Sequence, residues 1–170
     1  MKRQTHGPKR LAKAAASRKF SLIMRSNPKE IRDVEGFLLE VNKVAELDDG
    51  AMHRLLIAST EAVNNAILHA NNSDSEKKVT IRCTLTKKTL TLSVKDEGSG
   101  FNPESIPSPL KEENLMKESG RGIFLIRSLM DEVAIASDLN GTTVAMKKRI
   151  EAAAAGESSP AERHTEMEKT

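Results

Sequence analysis

Glu61 and Asn65 lie four residues apart in the stretch LLIASTEAVNNAILHAN, residues 55–71, so a helix carries both side chains on one flank. A carboxylate and an amide oxygen placed this way could hold a general base and a hard cation side by side. Downstream, Asp96, Gly98 and Gly100 form Asp-x-Gly-x-Gly at the end of an alternating stretch. Such a carboxylate can accept a hydrogen bond from an exocyclic amine of the kind adenine presents, while the glycines let backbone approach a ligand. Gly120-Arg121-Gly122 stands before a helix-like run, where backbone N–H groups and the helix dipole favour an anion. Taken singly, these features more often mean a solvated helix face, a plain turn and a glycine-rich joint. His69, eight residues after Glu61, is given at most a supporting role. Ser119 and Ser128 have no histidine partner at a recognisable spacing, and neither a GxxxxGK[ST] loop nor a metal-binding histidine spacing occurs.

Those residues need elements to hold them. Ala62, Val63, Ala66 and Ala70 fall at helical spacing and form the buried stripe of the organising helix. It ends near Asn71-Asn72-Ser73-Asp74, a cluster of turn formers. Ahead of it, Ile31, Val34, Phe37, Leu38, Val41 and Val44 give another helical stripe, opened by Ser26-Asn27-Pro28 and running to about Ala45. Asp48 or Asp49 is placed to cap the next helix. Phe20 to Met24 reads as an edge strand. Val79, Ile81, Cys83 and Leu85, then Leu90, Leu92 and Val94, alternate with polar residues and predict a hairpin turning at Lys87-Lys88. Residues 102–119, with Pro103, Pro107 and Pro109, make a long functional or mobile loop before the helix at Ile123–Met130. Val133–Ser137 and Thr142–Lys148 close the pattern as a strand pair around Asn140-Gly141.

Composition narrows the class. With four Phe and no Trp or Tyr, aliphatic side chains must fill the interior, and the scarcity of aromatics argues against a base-stacking surface for single-stranded nucleic acid. The single cysteine excludes an intramolecular disulfide and a cysteine metal cage, and suits a reducing compartment. No apolar run approaches the ~20 residues that cross a bilayer, and no secretory signal is expected. Residues 1–25 hold eight Lys or Arg and no acid. The expected organisation is a disordered basic arm over 1–19, one domain over 20–149 and a disordered tail over 150–170. A nucleic-acid contact and an organellar transit segment remain alternatives for the arm.

As an ordered set the motifs resemble the GHKL ATPase superfamily and, within it, the small anti-sigma factor serine kinases of bacteria. The resemblance is carried by Glu61-Ala62-Val63-Asn64-Asn65-Ala66, by Asp96-Glu97-Gly98-Ser99-Gly100-Phe101, and by Gly120-Arg121-Gly122-Ile123-Phe124-Leu125-Ile126 with Met130-Asp131-Glu132-Val133, over about residues 20–148. It implies an α+β fold, a two-layer α/β sandwich with a mixed, mostly antiparallel sheet and helices on one face. It implies ATP and Mg²⁺, with Asn65 as the Mg²⁺ ligand, Asp96 as the adenine-reading carboxylate and Thr143 beside the adenine. Gly98, Gly100, Gly120 and Gly122 would be the hinges and cradle of an ATP lid at about 102–119, with Arg121 among the nearest cations. Glu61 would be the base for an attacking hydroxyl. The implied activity is a serine/threonine protein kinase that phosphorylates a STAS-type anti-anti-sigma protein and sequesters a sigma factor. The implied state is a cytoplasmic homodimer with no membrane association and no nucleic acid on the core domain. One departure is that Glu118 and Ser119 precede Gly120, where some family kinases carry a basic residue. The alternative is therefore a non-catalytic, ATP-gated partner-switching module.

Overall fold

Period-two alternation folds into the hairpin it predicts. In the computed structural model, which describes residues 17–100 and 118–150, β2 (Lys78–Leu85) and β3 (Thr89–Lys95) pair with Cys83 opposite Leu92. Their inward residues Val79, Ile81, Cys83, Leu90, Leu92 and Val94 are all buried. β1 (Arg18–Arg25) pairs with the outer side of β2 and is an edge strand. β4 (Glu132–Asp138) and β5 (Gly141–Arg149) close the sheet, whose order is β1-β2-β3-β5-β4. The two-layer sandwich is borne out; where a mixed sheet was expected, all four pairings are antiparallel. β5 lies between β3 and β4 and is antiparallel to both, so the chain crosses from β3 past β5 to reach β4, which runs parallel to β3.

The helices lie on one face. Asn27 caps a single 3-10 turn (Pro28–Ile31), its side chain accepting from the Lys29 N–H, and α1 (Arg32–Ala45) follows. Asp48, not Asp49, caps α2 (Asp49–Asn64), accepting the Ala51 N–H at 2.8 Å. α3 (Glu118–Leu129) packs across α2. Leu38, Leu55, Ile126 and Met146 are among the side chains that fill the space between helices and sheet. The other sheet face shows Thr80, Thr84, Thr91 and Ser93, the polar half of the alternation.

Three departures from regular pattern matter. The organising helix does not stay α: from Asn65 to Ala70 it widens into a π turn, with the Asn71 N–H reaching the Ala66 carbonyl at 2.9 Å. α3 begins at Glu118, so Gly120-Arg121-Gly122 lie inside its first turns and not ahead of it. The β4–β5 turn centres on Leu139-Asn140, and Gly141 is the first residue of β5, at φ +120°. The arm before residue 17, the tail after residue 150 and most of the predicted 102–119 loop lie outside the described residues.

Candidate functional site

Asp96 continues the inward face of β3 one step past the strand, which buries its carboxylate to 4% exposure. A buried carboxylate must be supplied with donors. Oδ1 receives the Gly98 N–H and the Thr142 N–H, both at 2.9 Å, while the Asp96 N–H donates to the Thr142 carbonyl at 3.0 Å. Among the described residues nothing donates to Oδ2, which remains for a further donor. Glycine is required around it by crowding: a Cβ on Gly98 would stand 2.5 Å from the Ala70 carbonyl oxygen. At Gly141 both the positive φ and the Asp96 carbonyl against it exclude a side chain.

The Gly98–Ala70 contact joins the strand end to the helix carrying Glu61 and Asn65. Leu55, Ala58, Ala62, Val63, Ala66 and Ile67 form the buried side of this helix, and Glu61 and Asn65 emerge half-buried on the flank toward α3. A Cβ on Gly122 would strike Glu61 Oε1 and come within 2.9 Å of Asn65 Nδ2. Both side chains therefore reach one spot, as the four-residue spacing predicted. Gly98 meets the C-terminal end of the π turn whose first residue is Asn65. A carboxylate and an amide reaching one spot, and a second carboxylate whose Oδ2 receives no donor among the described residues, suit a nucleotide and a divalent cation held by its phosphates. No group of three His, Cys, Asp or Glu side chains fit to hold a metal on its own occurs among the described residues.

A family model described as histidine kinase-like ATPase domain matches residues 24–148. The chain belongs to that family. It is 38% identical over 114 residues to an anti-sigma F factor of Geobacillus sp. (strain WCH70), covering 63% of this chain and 77% of that protein. It is 34% identical over 100 residues to the serine-protein kinase RsbW of Bacillus velezensis, covering 55% of this chain and 62% of that one. A solved structure of the RsbU and RsbW domains of a Mycobacterium tuberculosis protein shares the fold at a TM-score of 0.59 and 19% identity, over 78% of this chain and 32% of that chain.

The remaining residues expected at the site of this histidine kinase-like ATPase domain lie as follows. Thr143 pairs with Lys95 and points to the sheet face opposite Asp96. The residue beside Asp96 is Thr142, whose backbone makes two bonds to it and whose hydroxyl lies 2.9 Å from that of Ser137. The alternation of Val144 and Met146 with polar neighbours places 142, and not 143, on the inner face; that signal was in the sequence. Gly100, at φ +71°, packs against the Asp138 carbonyl and ties the loop to β4. Gly120 and Arg121 sit in the first turns of α3, where helix N–H groups lack intrahelical acceptors, and Arg121 is exposed. His69 is exposed on the π turn. Asn71, buried at 0% exposure, was read only as a turn former; its Oδ1 accepts the Glu97 N–H at 3.0 Å and its Nδ2 donates to the Lys78 carbonyl at 3.2 Å.

Proposed function

We propose that this protein is an ATP-dependent serine/threonine protein kinase and anti-sigma factor, phosphorylating a STAS-type anti-anti-sigma protein and sequestering a sigma factor. The observation that supports the reading is the contact of Gly122 with both Glu61 and Asn65, together with a buried Asp96 whose Oδ2 receives no donor among the described residues and whose loop meets Ala70 through Gly98. The similarity to proteins named anti-sigma F factor and serine-protein kinase RsbW supports it.

In this reading Asp96 Oδ2 accepts the exocyclic amine of adenine, while Gly98 and Thr142 fix the carboxylate from behind. Asn65 supplies its side-chain oxygen to Mg²⁺, and Glu61 faces the same space. Mg²⁺ held there would supply the neutralisation of phosphate charge that phosphoryl transfer requires. Glu61 orients the partner's serine hydroxyl and takes its proton as that oxygen bonds to the γ-phosphorus. The bond to the β–γ bridging oxygen breaks, and ADP leaves. A new phosphate adds charge to the partner surface and drives its release. In this reading the protein acts in the cytoplasm as a homodimer.

The test is incubation with γ-labelled ATP and Mg²⁺ and a panel of STAS-domain proteins. Wild type should label a partner serine, and Glu61→Ala should bind ATP without labelling. Partner binding that depends on ATP with no transfer by wild type would establish the non-catalytic module instead. Light scattering on the purified chain checks the dimer.

A further inference from the structure

We propose that Asn71 is a positioning residue that locks the adenine-reading loop to the helix bearing the metal ligand, an assignment that rests on the ATP-binding reading above. Asn71 is the first residue after the π turn and is fully buried. Its backbone N–H closes that turn on Ala66, its Oδ1 takes the Glu97 N–H, and its Nδ2 reaches the Lys78 carbonyl. Lys78 answers with its own N–H on Glu97 Oε2 at 2.9 Å. One side chain thereby connects the helix end, the start of β2 and the middle residue of Asp96-Glu97-Gly98.

The π turn explains why residue 71 can do this. One extra residue in a turn rotates everything after it by about 100° relative to an unbroken α-helix. That rotation carries an asparagine that a regular helix would aim elsewhere into the space under the loop. Gly98 against Ala70 fixes the loop by shape, but a backbone contact alone permits sliding along the helix. The Asn71 amide adds direction, because its acceptor and donor are matched to one N–H and one carbonyl. Asp96 is adjacent to the clamped Glu97, so the clamp sets where Oδ2 stands relative to Asn65.

A purely structural role would change stability without changing nucleotide choice, and the experiment separates the two. Calorimetry on the full chain with ATP and with GTP, both with Mg²⁺, is run on wild type, Asn71→Leu, Asn71→Asp and Asp96→Asn, with melting temperatures alongside. Asn71→Leu removes both polar partners at similar volume and should weaken ATP about tenfold while lowering the preference for ATP over GTP. Asn71→Asp keeps an oxygen for the Glu97 N–H and should fall between wild type and Asn71→Leu. Amide exchange on nucleotide-free wild type should show the Glu97 N–H protected, and this reading needs no variant to fold. Wild-type affinity and selectivity in a folded Asn71→Leu, or an unprotected Glu97 amide, overturns the assignment. Asp96→Asn binding ATP as wild type does would instead overturn the ATP reading itself.

Discussion

The two oxygens of Asp96 have different surroundings, and substitutions at this residue separate structure from chemistry. Oδ1 satisfies two buried backbone donors, so Asp96→Ala strands the Gly98 and Thr142 N–H groups. Each stranded donor costs about 1–3 kcal/mol, and the melting temperature of Asp96→Ala should fall accordingly. Asp96→Asn keeps a carbonyl oxygen for both donors but turns an NH₂ toward the amine it should bind. It should melt close to wild type and lose at least about tenfold in ATP affinity. Asp131 shows the opposite case, a carboxylate with electrostatic consequence and no place at the site. The Arg149 backbone N–H at 2.6 Å, aided by the Lys148 ammonium at 3.1 Å, holds its carboxyl below the usual aspartate range. A folded-state value below the unfolded one stabilises fully above about pH 4 and is lost as pH falls through the lower folded value. The destabilisation caused by Asp131→Asn, measured by thermal melts at pH 7, should therefore shrink as the melts are repeated below about pH 4.

At the scale of elements, Gly122 is where helix stability and chemistry pull apart. Alanine is favoured over glycine by about 1 kcal/mol in a helix interior, and the groups its methyl would meet are ends of flexible side chains, Glu61 Oε1 and Asn65 Nδ2. Gly122→Ala should thus melt at or above the wild-type temperature while transferring phosphate more slowly, because Glu61 and Asn65 are pushed off their common spot. Equal rates for Gly122→Ala and wild type would show that the α2–α3 contact does not set the site. The elements themselves were largely legible, because burial of one face imposes alternation on β2 and β3 and helical spacing on α1 and α2. The Glu61–Asn65 pair was legible for the same reason, since four-residue spacing decides which side chains share a flank. The π turn was not, because the extra residue is stabilised by what Asn71 meets in the sheet, and no local spacing records that. That Thr142 and not Thr143 contacts Asp96 was legible in the inner-face pattern of Val144 and Met146. The start of α3 at Glu118 was hidden by two glycines, whose poor helix propensity is overridden by packing on α2.

Across the whole molecule, the site bridges the two layers: Asp96 and Thr142 belong to the sheet, Glu61, Asn65 and Gly122 to the helices. Cys83 measures how firmly those layers stay together. It sits in β2 between β1 and β3, faces the helices at 1% exposure, and burial pushes its thiol up to about 12. The thiolate is the reactive form, so a thiol reagent at neutral pH reaches Cys83 only when the helical layer lifts from the sheet. That opening also takes the nucleotide site apart, since its residues come from both layers. A ligand that binds only the closed form stabilises it by RT ln(1 + [L]/Kd), about 2.7 kcal/mol at a hundred times Kd. With closing fast relative to the reagent, ATP with Mg²⁺ at that concentration should slow labelling of Cys83 about a hundredfold. Asp96→Asn at the same nucleotide concentration should show far less slowing, because its affinity is reduced while Cys83 is untouched. Labelling of wild type that ignores ATP while calorimetry detects binding would mean that the nucleotide holds to one layer alone.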